Sequence, residues 1–201
     1  MYLGRAILRV FGYTLVRDIP PERKFVVCAA WHTSNWDFPL AVLIAMGLGL
    51  PFKYIVKREL TDGKLGWLYK RMGMIGIDRK PGTGVVEQAA KRFEEADEFV
   101  LVVAAEGTRS KASEWGTGFY YIALAADVPI AFGMVDSLTK RTGVDGYFYP
   151  TGNREEDLQV IKNYYQDLRG LKPRKQAEIA FREPKRKEIK DLESKIEDQK
   201  A

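Results

Sequence analysis

The stretch FVVCAAW, residues 25–31, is a continuous run of apolar side chains. A second run, FVLVVAA, covers residues 99–105. Such runs are typical of strands buried on both faces, as in parallel sheets covered by helices. Helical patterns lie between and beyond them, so strands alternate with helices along the chain. The pattern predicts an α/β fold, in which a single domain holds a mixed, mostly parallel sheet flanked by helices.

The composition agrees with one globular domain. The chain has 201 residues, of which 46% are hydrophobic and 29% charged, so it can bury a substantial core. With one cysteine, Cys28, and one histidine, His32, it can form neither a disulfide framework nor a Cys/His zinc site. The net charge of +5 permits attraction to anionic lipid, phosphate-bearing cofactors or nucleic acid, and a solvated basic surface explains it equally. Basic residues alternate with acidic ones and form no stripe, so we expect no nucleic-acid partner.

The two ends of the chain differ from its centre. Residues 1–18 are predicted to form an amphipathic helix that either lies in a membrane interface or packs on the domain. Residues 22–183 are predicted to form the α/β domain, in which the segment 176–182 alternates weakly and suggests an edge strand. Residues 184–201 are highly charged with a thin apolar stripe, which is typical of a surface helix that frays. No apolar run reaches the roughly 20 residues of a membrane-spanning helix.

The first polar motif, WHTSNWD at residues 31–37, follows the first buried strand. Open α/β sheets place their sites at the carboxyl ends of strands. Asp37 lies at the start of the next predicted helix, where aspartate is a favoured N-cap. A strand-to-helix turn can bring it to His32, and a carboxylate on one imidazole nitrogen makes the other a better base. The alternative is a lone histidine in a loop beside a capping aspartate.

Two further motifs each place an arginine just after a strand. The sequence EGTRS, residues 106–110, follows the second buried strand, and GMIGIDR, residues 73–79, includes a shorter one. A glycine permits a tight turn in the first motif, and threonine and arginine side chains are donors suited to phosphate. Each arginine alone equally fits a surface ion pair. Together the motifs indicate a base and two phosphate clamps at one end of the sheet.

Other common catalytic motifs are missing from the sequence. It contains no Gly-x-Ser-x-Gly elbow, no Walker-type loop and no Gly-x-Gly-x-x-Gly. A serine hydrolase of the elbow type, a P-loop NTPase and a Rossmann dinucleotide-binding enzyme are therefore disfavoured.

The order and spacing of the three motifs resemble the glycerolipid acyltransferase family, the PlsC-like 1-acyl-sn-glycerol-3-phosphate O-acyltransferases. The resemblance covers roughly residues 25–135 and implies a glycerol-3-phosphate acyltransferase-like fold. It implies transfer of a fatty acyl group from acyl-CoA or acyl carrier protein to a hydroxyl of a lysophosphatidic acid-like acceptor, in phospholipid biosynthesis. It implies no metal, and no cofactor beyond the acyl donor. By the same resemblance the catalytic residues are His32, the general base, and Asp37, its orienting partner, and the acceptor phosphate site is lined by Arg79, Glu106, Gly107, Thr108 and Arg109.

The sequence also departs from the family pattern. Many relatives have Phe-Pro where this chain has Ala104 and Ala105, and many have a lysine near the position of Gly116. These departures concern the identity of the acceptor more than the reaction. Larger relatives often have N-terminal membrane helices, a role for which this sequence offers only its first residues. We therefore expect peripheral attachment to the cytoplasmic side of the inner (plasma) membrane.

Apolar stretches near the first motif have two interpretations. Residues 38–52 and 67–69 either line a tunnel for an acyl chain or belong to an ordinary core. Two other functions also remain open. One is a non-catalytic lipid- or phosphate-binding module on the same scaffold, although binding alone needs no base. The other is acylation of a different hydroxyl acceptor.

Overall fold

The computed structural model describes residues 2–31, 34, 36–78, 84–106 and 114–182. The strands are β1 (Thr14–Asp18), β2 (Lys24–Ala30), β3 (Phe52–Lys57), β4 (Met74–Ile77), β5 (Phe99–Ala104), β6 (Ile130–Asp136) and β7 (Arg141–Phe148). The helices are α1 (Tyr2–Val10), α2 (Asp37–Leu48), α3 (Arg58–Asp62), α4 (Gly66–Arg71), α5 (Val85–Glu95), α6 (Gly118–Ala126) and α7 (Arg154–Tyr165), and a 3-10 turn covers Pro173–Lys175. The predicted tail helix, 184–201, lies outside the described residues.

The strands form one seven-stranded sheet in the order β1-β7-β6-β2-β5-β3-β4. Strands β6, β2, β5, β3 and β4 run parallel to one another. Strand β7 is antiparallel to β6, and β1 is parallel to β7. The predicted fold class, a mixed and mostly parallel sheet flanked by helices, is confirmed. The apolar runs of residues 25–31 and 99–105 form the two central strands, which are buried because helices cover both faces of the sheet.

The helices divide between the two faces of the sheet. On one face Leu8 of α1 and Ile44 of α2 pack with Val27 and Val100 in one core cluster. On the other face the buried side chains of α5, α6 and α7 pack with Val26 of β2 in a second, larger cluster. Alternate residues of each central strand thus point into different cores, as the two-residue period of a strand requires.

Helices α3 and α4 lie on the same face as α2. Tyr54 of β3 packs in the α2 cluster and pairs with Met74 of β4. Gly76, two residues further along β4, therefore faces the same side, and it lies against Thr61 of α3. One layer of the molecule thus consists of α1 to α4.

The N-terminal segment is corrected by the structure. The helix predicted over residues 1–18 ends at Val10, and residues 14–18 form β1 at one edge of the sheet. Helix α1 packs closely on α2: a Cβ added at Gly4 would lie 2.6 Å from the Gly47 nitrogen, and Arg5 Nε donates to the Gly47 oxygen at 2.8 Å. Its other side is exposed. None of the helices in the described ranges is both long and apolar enough to cross a bilayer.

Two other elements differ from the sequence-based expectation. Strand β7 was not predicted, because Gly143 and Gly146 interrupt its apolar pattern. The edge strand predicted over 176–182 is wrong. This segment makes an isolated parallel bridge, between Phe181 and Trp115, and neither residue belongs to a strand of the sheet. Helix α7 has a capped first turn, in which the Asn153 side chain accepts from two backbone N–H groups.

Candidate active site

The carboxyl ends of β2 and β5 lie side by side. The strands pair in parallel up to Ala29 and Ala104, and the ladder continues with Ala105 N donating to the Ala29 oxygen at 3.1 Å. His32 and Gly107 each follow the last paired residue by three positions. The first motif and the EGTRS motif therefore follow strand ends that lie at the same height along the sheet.

The helices that follow these two strands lie on opposite faces of the sheet. Helix α2, after β2, packs in the smaller core cluster, and α6, after β5, packs in the larger one. Adjacent parallel strands whose connections diverge in this way form a topological switch point, where open α/β sheets bind their ligands. The structure thus brings two of the three predicted motifs to the position that the fold favours for a site.

Asp37 is buried at the start of α2, with 9% of its surface exposed. The expectation that it caps the helix is wrong, since the N-cap position is Trp36 and Asp37 is the first helical residue. Its Oδ2 accepts a hydrogen bond from the Ser34 backbone N–H at 2.6 Å. Ser34 is two residues after His32 in the sequence, so this bond holds the carboxylate close to the segment that follows β2.

Glu106 is buried just beyond β5, with 3% of its surface exposed. Its Oε1 accepts a hydrogen bond from the backbone N–H of Ala177 at 3.3 Å. The same turn is fixed by Gly116 N, which donates to the Ala105 oxygen at 2.7 Å. Since a carboxylate repels a phosphate, this geometry suits Glu106 to anchoring the EGTRS turn.

The third motif lies further along the same end of the sheet. Strand β4 is three positions from β2 in the strand order, or about 14 Å at about 4.8 Å per strand. The end of β4 is fixed by the amide of Gln88 on α5, which accepts from Asp78 N at 3.2 Å and donates to the Asp78 oxygen at 3.1 Å. No sequence motif identified Gln88, because its role depends on how α5 packs beside β4.

Several predicted site residues lie outside the described part of the chain: His32, Arg79, Gly107, Thr108 and Arg109. Their roles remain predictions. The described neighbours of these residues, Trp31, Asp78 and Glu106, all lie at the carboxyl end of the sheet, because each directly follows a strand or lies one residue beyond it.

An apolar cavity of about 460 Å³ adjoins Asp37. It is lined by strand residues and by helical residues from both faces of the sheet: Phe38, Ala41 and Ile44 of α2, Val85 of α5, and Gly118 and Ile122 of α6. Part of residues 38–52 thus lines a cavity, whereas residues 67–69 do not line it and Trp67 is 67% exposed. That the cavity holds an acyl chain stays a prediction.

Buried tyrosine and cysteine groups fix the strand beneath the site. The Tyr165 hydroxyl lies 2.6 Å from the Cys28 oxygen and 3.0 Å from the Gly133 oxygen, so it ties α7 to both β2 and β6.

Burial raises the pKa of the Cys28 thiol well above its usual range. A thiol that stays protonated inside a strand is not a nucleophile, so His32 has no cysteine partner to activate.

Comparisons with known proteins address the family directly. The model of the family described as Acyltransferase matches residues 13–131. Among solved structures, the chain is similar to the 1-acyl-sn-glycerophosphate (LPA) acyltransferase PlsC from Thermotoga maritima, with a TM-score of 0.49 and 14% sequence identity, over 100% of this chain and 78% of that chain. No curated protein sequence matches the chain.

The family match includes β2, β5 and the first residues of β6, together with all three polar motifs. The resemblance inferred from those motifs is thereby confirmed. Because the match covers more than half of its residues, the chain belongs to the acyltransferase family.

Proposed function

We propose that the chain transfers a fatty acyl group from a thioester carrier, acyl-CoA or acyl carrier protein, to a hydroxyl of a lysophosphatidic acid-like acceptor, in phospholipid biosynthesis. The observation that carries this proposal is the parallel pairing of β2 with β5. It makes the segments that contain His32 and Arg109 leave the sheet together, next to Asp37 and an apolar cavity. A base, a cationic phosphate site and space for an acyl chain are the parts that this reaction needs.

The reaction requires a base because a hydroxyl is a poor nucleophile at neutral pH. In the proposed mechanism His32 takes the proton of the acceptor hydroxyl while its oxygen attacks the thioester carbonyl carbon. Asp37 orients the imidazole and stabilises the imidazolium that forms. When the tetrahedral intermediate collapses, the C–S bond breaks, the new ester forms, and the imidazolium returns its proton to the departing sulfur. No covalent acyl-enzyme is needed.

The acceptor's phosphate is assigned to the arginines and the turn of the EGTRS motif. Arg79 and Arg109 supply guanidinium groups suited to bidentate phosphate contacts. In the same site Gly107 permits a tight turn, and the Thr108 hydroxyl supplies a hydrogen-bond donor. Glu106 belongs to this site through its bond to the Ala177 N–H, which holds the turn in place.

The acyl chain is assigned to the apolar cavity. Its volume of about 460 Å³ lies within the range of small-molecule sites. Asp37 lies among the apolar residues that line it, so a chain inside the cavity would bring its thioester carbonyl to the proposed base.

Attachment to a membrane surface is assigned to the layer of α1 to α4. Fourteen large apolar side chains of the described residues are exposed, and three of them, Leu138, Tyr149 and Val160, belong to other parts of the molecule. The remaining eleven lie in or next to this layer: Tyr2, Leu3, Val10, Phe11, Trp36, Met46, Leu60, Leu65, Trp67, Leu68 and Met72. A large exposed apolar surface with aromatic residues is typical of interfacial binding, and we propose the cytoplasmic side of the inner membrane as its location.

The decisive assay measures thioester consumption and ester formation with a panel of lyso-lipids. We expect His32→Ala and Asp37→Asn to lower kcat/KM by about 100- to 10,000-fold, the usual contribution of general acid–base catalysis. The control is Gln159→Glu, an exposed position of α7 whose side chain hydrogen-bonds only to Asn163 in the described structure, and it should keep full activity. Full activity of His32→Ala would disprove the mechanism. Lipid binding by a wild-type chain that consumes no thioester with any acceptor would favour the non-catalytic module.

Arg109→Ala is expected to raise the KM for phosphate-bearing acceptors by about tenfold to a hundredfold. Hydrogen bonds to charged groups contribute about 1.5–3 kcal/mol, and about 1.4 kcal/mol corresponds to tenfold. An acceptor without phosphate, such as a monoacylglycerol, should be affected little. The control variant is Arg92→Ala, whose arginine pairs with Glu95 on the surface of α5. Equal losses with both acceptors would argue against a phosphate contact.

Ala41→Phe is expected to shift the preferred acyl chain toward shorter lengths, because the larger side chain fills the cavity from α2. Each methylene that loses its buried position costs about 0.8 kcal/mol. The measurement is kcat/KM for a series of acyl donors of increasing length. Met46→Phe, at an exposed position of the same helix, should leave the series unchanged. A length profile unaltered by Ala41→Phe would place the acyl chain elsewhere.

The double variant Phe11→Ser, Trp67→Ser is expected to weaken sedimentation with vesicles that contain anionic phospholipid by about tenfold, because interfacial binding scales with buried apolar area. Leu138→Ser removes an equally exposed apolar side chain, 72% exposed, from another surface and should have no effect. If Leu138→Ser weakened binding as much, the layer of α1 to α4 would not be the membrane contact.

A further inference from the structure

A second cleft opens beside the carboxyl end of β2 and has a volume of about 500 Å³. Trp31 forms its wall on the side of the site. The rest of it comes from the end of α7 and the segment that follows: Lys162, Gln166, Arg169, Pro173, Gln176, Ala177, Glu178 and Ile179. We call this the α7 cleft. It is more open to solvent than the cavity next to Asp37, and a larger share of its lining is polar.

The α7 cleft has an excess of positive charge. Lys162 and Arg169 line it and are half-buried. In the part of the chain that the structure describes, neither is within ion-pair distance of a carboxylate. The adjoining turn adds three exposed basic residues, Lys172, Arg174 and Lys175, and the acidic residue of the lining is Glu178. Cations gathered in a concave surface favour a multiply charged anion.

The cleft is built on rigid parts of the fold. Arg169 N donates to Asp136 Oδ1 at 3.2 Å, and Ser137 N donates to the Arg169 oxygen at 2.7 Å, so the segment is tied to the end of β6. The indole Nε1 of Trp31 donates to the Leu168 oxygen at 3.2 Å. The cations are therefore held at the end of the sheet by backbone that is already hydrogen-bonded, which lowers the cost of ordering them around a ligand.

The position of the cleft relates it to the two other proposed subsites. Trp31, the residue before His32, lines both the α7 cleft and the apolar cavity. Tyr165 of α7 contacts β2 and β6, so the cleft lies on the β6 side of the site. Arg79 follows β4, on the opposite side in the strand order. The α7 cleft and the end of β4 thus lie on opposite sides of β2 in the strand order, and the cleft is not assigned to the acceptor.

We propose that the α7 cleft binds the phosphate groups of CoA when the chain uses an acyl-CoA donor. This inference rests on the proposed function. The acyl chain would occupy the apolar cavity and the carrier the α7 cleft, with the thioester between them at Trp31. The charge favours CoA over a carrier-protein arm, because CoA has a diphosphate and a 3′-phosphate, whereas the arm has one phosphodiester. Several clustered cations match the more highly charged ligand.

The test is calorimetric titration of the full chain with free CoA, dephospho-CoA and pantetheine. We expect CoA to bind, dephospho-CoA to bind more weakly, and pantetheine to bind least. Lys162→Gln should raise the Kd for CoA about tenfold, as the loss of one charged hydrogen bond predicts. Lys91→Gln removes an exposed lysine of α5, on a different helix, and should leave the Kd unchanged.

Thermal unfolding is measured for each variant, so that a loss of CoA binding can be told from a loss of structure. Arg169 is not substituted, because its guanidinium also donates to the Gln166 and Leu168 oxygens and its loss could loosen the turn. Lys162→Gln and the pair Arg174→Gln, Lys175→Gln should raise the donor KM while the acceptor KM stays constant. Unchanged CoA affinity in these variants would overturn the proposal, as would a chain that uses an acyl carrier protein thioester but does not bind CoA.

The outcome is separable from that of the proposed function because CoA binding needs no turnover. A chain that binds CoA through Lys162 but transfers no acyl group would refute the reaction and keep the binding site. A chain that transfers acyl groups from acyl-CoA with the same donor KM in wild type and variants would refute the binding site and keep the reaction.

Discussion

The parallel pairing of β2 with β5 is the constraint on which the site depends. From Phe25 and from Phe99 onward each strand is an apolar run, and its next acidic or basic residue follows the end of the strand. The pairing register brings the ends of the two strands to the same height of the sheet. A slip of one residue would turn every side chain of β2 to the other core, so the two packed faces hold the register and with it the relative positions of Trp31 and Glu106.

Two kinds of packing surround this site. Next to Asp37, small and branched side chains of α2, α6 and the strands leave an apolar cavity. Beside it, Trp31 packs edge-to-face against Trp115 at 5.4 Å, and Trp115 against Tyr165 at 5.3 Å. These large rings fill the space beneath the end of β2, and Tyr165 is also hydrogen-bonded to two strand carbonyls. The residue before the proposed base is thus held by a rigid aromatic cluster, while room for a substrate remains next to Asp37.

The sequence predicted the elements whose patterns are continuous and local. The runs at 25–31 and 99–105 are long and uninterrupted, and they form β2 and β5. Strand β7 could not be found, because Gly143 and Gly146 have φ of +135° and +94°, and a Cβ at Gly143 would lie 2.2 Å from the Val16 oxygen. Its place in the sheet depends on the close approach of β1, which no local pattern records.

The sequence likewise predicted only those parts of the candidate site that consecutive residues define. Motifs read from consecutive residues identified Asp37 and Glu106, but the partners of these carboxylates, Ser34 and Ala177, depend on turns and long-range packing. The α7 cleft was missed for a related reason. Lys162 and Arg169 form no motif with Trp31, and they meet it only because the Tyr165 hydroxyl and the Leu168 oxygen bind the end of α7 to the end of β2.

The arrangement of the cavities restricts how a donor can lie. The apolar cavity and the α7 cleft share Trp31, at the carboxyl end of β2. A molecule with an apolar chain and a polyanionic head that occupies both must cross this end of the strand. In the proposed function its crossing point is the thioester, since that group joins the two parts. The residue that follows Trp31 in the sequence is His32, so a donor bound in this way would bring the bond that must break to the residue proposed as the base.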